Sequence, residues 1–82
     1  MRYQIFYEKE ALKELEKLEA SISRRIVKKI EDLSESPGSC DIKKLKASDY
    51  FRLRVGDYRV IFIFNKEIIR VLKIGHRQQI YG

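Results

Sequence analysis

The segment Tyr50–Val60 (YFRLRVGDYRV) gathers the residues of this chain best suited to holding an anion: Arg52, Arg54 and Arg59, set around a Gly56-Asp57 pair. Glycine at the first central position of a two-residue loop accepts positive φ at no steric cost. The segment therefore reads as two strands joined by a type II′ hairpin turn. In that register Val55 faces Tyr58, Arg54 faces Arg59 and Arg52 faces Ile61. Two guanidinium groups directly opposite each other repel and weaken a sheet. Such a pair is best tolerated where an anion sits between the charges, and planar guanidinium groups match a phosphate bidentately. On this reading, replacing Arg59 by alanine abolishes the phosphate chemistry with little loss of stability, or even a small gain.

The elements that must carry these residues follow from periodicity. Arg2–Tyr7 (RYQIFY) is β-branched and aromatic and reads as a first strand. Glu8-Lys9-Glu10 opens a helix with acidic residues in its first turn, and Ala11, Leu12, Leu15 and Leu18 recur at helical spacing. Ser21 or Ser23 is positioned to cap a second helix, whose apolar stripe is Ile22, Ile26, Val27, Ile30 and Leu33. Arg24, Arg25, Lys28 and Lys29 lie off that stripe and are expected in solvent. Pro37-Gly38 ends the helix. Ile42–Lys46 reads as a short edge strand blunted by lysines, and strands follow near Tyr50–Val55, Tyr58–Phe64 and Ile68–Ile74. Apart from that short edge strand the order is β-α-α-β-β-β. The predicted fold is α+β, an N-terminal helical hairpin packed on an antiparallel sheet in a single domain spanning residues 1–82.

Within the strand 58–64, Tyr58, Val60, Phe62 and Phe64 point to one face and read as core aromatics and aliphatics. Ile61 and Ile63 share the other face with Arg59. That second face is expected to be concave, apolar at one end and basic at the other. Arg70 is expected to balance Glu67 or to lie in solvent.

Composition narrows the function classes. The 82 residues carry a net charge of +6, and residues 43–82 hold ten Lys/Arg against three Asp/Glu, whereas residues 1–42 hold eight against nine. A basic half of this kind is the electrostatic footprint of a polyanion, most often nucleic acid. An acidic protein partner is the alternative. Cys40 is the single cysteine and cannot form an intramolecular disulfide, no Cys/His cluster suggests a metal, and no apolar run has membrane-spanning length. No cofactor, no metal, no membrane and a cytoplasmic location are the expectations.

The tail Ile74–Tyr81 (IGHRQQIY), together with Lys44-Leu45, the RLRVGDYRVIF segment (Arg52–Phe62) and the element order, resembles the RelE-like toxins of the RelE/ParE toxin–antitoxin superfamily. The resemblance covers nearly the whole chain. The GDYR turn occurs across the superfamily, whereas a terminal His-Arg followed by Tyr is more particular to its RNA-cleaving branch. The resemblance implies a metal-independent mRNA endoribonuclease acting in the ribosomal A site, where the RNA 2′-hydroxyl attacks its own 3′-phosphate and translation stops. It implies a cognate antitoxin, the ribosome and mRNA as partners. It places the family's catalytic positions on Arg52, Arg54, Arg59, Arg77 and Tyr81.

The residues themselves qualify those roles. Arginine effectively never loses its proton, so Arg52, Arg54, Arg59 and Arg77 are suited to holding phosphate and neutralising charge rather than to proton transfer. Proton transfer falls to Tyr81, which could equally stack on a base, or to His76, the single histidine. Lys43, Lys44 and Lys46 read as a nucleic-acid-binding surface that tracks the phosphate backbone. Two other readings stay open: a DNA-gyrase-inhibiting toxin of the same superfamily, and a basic RNA-binding module without catalysis.

Overall fold

A computed structural model describes residues 3–46 and 48–78. Strand β1 (Gln4–Tyr7) leads into helix α1 (Lys9–Lys17) and helix α2 (Ala20–Glu35), then through a 3-10 turn at Pro37–Ser39 to strands β2 (Ile42–Lys44), β3 (Phe51–Val55), β4 (Tyr58–Phe64) and β5 (Ile68–His76). The strands form one sheet in the order β1-β5-β4-β3-β2. The pairs β2–β3, β3–β4 and β4–β5 are antiparallel, as the hairpin-rich second half dictates. β1 joins β5 in parallel, so the sheet is mixed.

The apolar stripe of α2 docks on one face of the sheet. Ile26, Ile30 and Leu33 are buried against Leu53, Val55, Val60, Phe62, Ile69, Val71 and Ile74, with Ala11 of α1 completing the cluster. Each such aliphatic side chain contributes roughly 1.5–3 kcal/mol by leaving water. Phe62 is fully buried and Tyr58 packs at the margin, but Phe64 is 45% exposed, where it meets Tyr3 and Phe51 edge to face and tilted. Leu12 is exposed as well.

Neither Ser21 nor Ser23 caps α2. The helix begins at Ala20 with Glu19 before it and no side-chain cap. Only Leu18 and Glu19 separate the helices. The Ser23 hydroxyl instead donates to the Leu15 carbonyl of α1, tying the two helices together.

One irregularity decides which residues of β5 face which way. The β4–β5 register runs Tyr58↔His76 through Ile61↔Lys73, then resumes at Phe62↔Val71, so Leu72 is an extra residue. A bulge of this kind reverses the alternation beyond it. Ile69, Val71 and Ile74 can therefore all reach the core, while Lys73 is sent to the opposite face. β1 stops at Tyr7, where the Glu8 N–H donates to the Val71 carbonyl (2.9 Å), and α1 packs along β5 from there. A helix in that position covers an edge that would otherwise be open to another strand.

Candidate nucleic-acid interface

The hairpin has the register its sequence implies: Val55↔Tyr58, Arg54↔Arg59, Leu53↔Val60 and Arg52↔Ile61. Gly56 has φ +59°, the conformation that only glycine enters freely. A side chain at position 56 would also begin 3.1 Å from Arg25 Nη2, because the Arg25 guanidinium of α2 lies over the turn. The helical spacing gave no sign of that contact. It depends on where the two helices seat on the sheet.

Leu53, Val55, Val60 and Ile74 face the helices, so Arg52, Arg54 and Arg59 share the other face. Two rows cross that face. In one, Lys43 of β2 pairs with Arg52, Arg52 with Ile61, and Ile61 with Lys73. In the next, Arg54 pairs with Arg59 and Arg59 with Gly75. Asp41 borders this row, its carbonyl accepting the Arg54 N–H at 3.0 Å. Toward the apolar end, Ile61, Leu72 and Tyr50 line a groove with Lys73, and Glu8 and, from α1, Glu10 border it.

The opposed arginines are in different states. Arg54 is exposed and reaches Asp41 at 4.0 Å. Arg59 is 7% exposed. Its Nη1 donates to the carbonyls of Gly56 (2.8 Å) and Tyr58 (2.9 Å), while its buried Nε has no hydrogen-bond partner. No carboxylate among the described residues pairs with it. The repulsion expected from the register is thus met by turning the two side chains to different local acceptors. The two hydrogen bonds give Arg59 a part in holding the turn that the register alone did not suggest.

The remaining predicted residues divide. Arg52 is half-buried on the arginine face. Arg77 is exposed, and its backbone N–H donates to the Asp57 carbonyl (2.8 Å), which fixes the chain beside the turn. Lys43 lies on the arginine face, Lys44 pairs with Phe51 and so faces the other way, and Lys46 is exposed in the turn after β2. His76 pairs with Tyr58 and packs edge-on against it (centroids 5.6 Å, 80°), on the helix-facing side of the sheet. Tyr81 lies outside the described residues. Lys73 went unrecognised in the sequence, because strict alternation from Ile69 and Val71 sends it inward; only the Leu72 bulge turns it out. Arg70 pairs with Glu8 at 3.2 Å and sits over the Phe6 ring at 5.2 Å, rather than balancing Glu67. The phenol of Tyr7 is raised above its ordinary value by burial and then by the nearby Glu31 carboxylate.

Comparison with known proteins returns a consistent set. A family model described as "ParE toxin of type II toxin-antitoxin system, parDE" matches residues 5–81. Toxin RelE3 of Methanocaldococcus jannaschii is 33% identical over 82 residues, covering 94% of this chain and 93% of the relative. Among solved structures, the archaeal RelE–RelB complex of Pyrococcus horikoshii OT3 superposes with a TM-score of 0.80 at 31% identity, over 96% of this chain and 99% of that one. The RelBE2 toxin–antitoxin complex of Mycobacterium tuberculosis superposes with a TM-score of 0.82 at 26% identity, over 94% and 100%.

Proposed function

This chain belongs to the RelE/ParE superfamily of toxins from type II toxin–antitoxin systems, and on that premise we propose that it is a ribosome-dependent endoribonuclease that cuts mRNA in the A site. The observation that carries the reading is the state of Arg59. A guanidinium charge withdrawn from water without a carboxylate partner is costly to hold. Among the described residues Arg59 has no carboxylate partner, and it sits buried with an unsatisfied Nε on the same face as Arg54 and Arg52. A phosphate bound there relieves the cost.

The reaction asks for charge neutralisation above all. The 2′-oxygen attacks the adjacent phosphorus, a dianionic phosphorane forms, and the bond to the 5′-oxygen breaks to leave a 2′,3′-cyclic phosphate and a 5′-hydroxyl. Arg59 and Arg54 hold the phosphorane oxygens, where preorganised donors are worth about 3–4 kcal/mol each. Arg52, with Lys43 and Lys73 in its row, tracks the flanking backbone, and Arg77 closes the site from the tail. Tyr81 is assigned to proton transfer or to stacking on a base. The Pyrococcus horikoshii and Mycobacterium tuberculosis structures are toxin–antitoxin complexes, and we extend a cognate antitoxin to this chain, covering both the apolar groove and the basic end. The site is expected to work in the cytoplasm, on metal-free chemistry.

The test is controlled expression with mapping of mRNA 5′ ends by primer extension. Cuts at a fixed position within codons, lost in Arg59→Ala, are expected. Intact mRNA accompanied by DNA damage would point to a gyrase-directed toxin. Intact RNA and DNA with retained RNA binding would leave only a non-catalytic binding module.

A further inference from the structure

We propose that His76 is a positioning residue, a backbone acceptor that sets the course of the chain as it leaves β5 and so delivers Arg77 to the arginine end of the sheet. The inference rests on the nuclease reading for its activity consequence only. Three observations support it. The register Tyr58↔His76 puts the imidazole on the helix-facing side, whereas Arg52, Arg54 and Arg59 occupy the other face. A ring on that side has the sheet between it and a phosphate held by the arginines.

His76 Nδ1 accepts the Gln78 N–H at 3.2 Å. An acceptor Nδ1 carries a lone pair, so this hydrogen bond calls for the tautomer with its proton on Nε2. The imidazole is also lodged edge-on against Tyr58, which itself packs on the core. Arg77 is therefore held between two anchors: its own N–H on the Asp57 carbonyl at 2.8 Å, and the next N–H on the His76 ring. A small error in the placement of a substrate-holding group can cost a large factor in rate.

A comparable device without a histidine occurs at the β4–β5 turn. Asn65 Oδ1 accepts the N–H groups of Glu67 and Ile68, each at 2.9 Å. Asparagine Oδ1 occupies the position of histidine Nδ1 along the side chain, so Asn can replace the acceptor while abolishing titration and the ring. Phenylalanine does the reverse, keeping a ring against Tyr58 and removing the acceptor.

The experiment compares wild type, His76→Asn, His76→Phe and His76→Ala by two readouts, with thermal midpoints taken in parallel. The first is amide hydrogen exchange of Gln78 by NMR on the full chain. Protection should persist in His76→Asn and fall roughly three- to tenfold in His76→Phe and His76→Ala, the range of a single hydrogen bond. The second is ribosome-dependent mRNA cleavage, which should be lowered in His76→Phe and His76→Ala and largely restored in His76→Asn. Unchanged Gln78 protection in His76→Ala overturns the anchor. A protected Gln78 with cleavage as low in His76→Asn as in His76→Ala overturns positioning in favour of proton transfer by the imidazole itself. If wild type cuts no mRNA, the nuclease reading fails while the exchange data still decide the anchor.

Discussion

Arg54 and Arg59 are directly paired across β3 and β4, yet one side chain is 55% exposed beside Asp41 and the other is buried against the carbonyls of its own turn. Their shared register gives them one face, and their different acceptors give them different jobs. Arg54 is free to move toward a ligand. Arg59 is held ready.

That difference sets the stability effects of the two alanine variants apart. Arg54→Ala removes an exposed ion pair, worth about 0–1 kcal/mol. Arg59→Ala removes two charge-assisted hydrogen bonds and leaves two turn carbonyls without their donor. The loss is expected at about 1–3 kcal/mol even after the cost of burying the charge is recovered. Urea denaturation of both variants reads this directly, with the lower midpoint in Arg59→Ala. Equal midpoints for the two would mean that the turn does not depend on Arg59.

Lys73 owes its place on the basic face to the Leu72 bulge. Its replacement by alanine is expected to weaken RNA binding without regard to sequence, and to reduce the slope of log affinity against log salt by about 0.7 for a single strand. Lys28→Ala makes a suitable control, since Lys28 is on α2 and pairs with Asp32 at 3.8 Å. Titrations by fluorescence anisotropy at several salt concentrations measure both. A salt slope that falls as much in Lys28→Ala would remove Lys73 from the interface.

Tyr7 offers a pH-dependent check on the core. Its phenol is raised above 10.0, first by burial and then by Glu31. The folded chain thus holds this proton more tightly than the unfolded chain does. The stability tied to it is complete below the ordinary tyrosine value and is lost as pH rises through the folded value. In Tyr7→Phe that alkaline loss is absent, so the stability of wild type relative to Tyr7→Phe should fall as pH rises past 10.0. Thermal melts of the two across that rise measure it, and a constant difference would contradict the assigned environment.

Much of this molecule is legible in its residues taken in order. The Gly56-Asp57 pair allows one turn geometry, which fixes the register of Arg54 on Arg59 without reference to anything distant. The spacing of Ile26, Ile30 and Leu33 selects the buried stripe of α2, and the β-α-α-β-β-β-β order, short β2 included, follows from period and turn chemistry alone. These are local properties, dictated by sterics within a few residues.

Only the tertiary structure decided the rest, because the deciding neighbours are remote in the chain. Whether Arg59 is exposed or buried depends on how its face is walled. Arg25 reaches the Gly56 turn only because α2 seats where it does, and Arg70 finds Glu8 only because β1 and β5 run in parallel. The faces of Lys73 and His76 turn on one extra residue, Leu72, whose bulge is defined by the strand opposite and not by β5 itself. The sequence by itself determined which cations this protein carries and that a hairpin presents them. Packing determined which of them stand together, because side-chain direction in a sheet is set by pairing across strands.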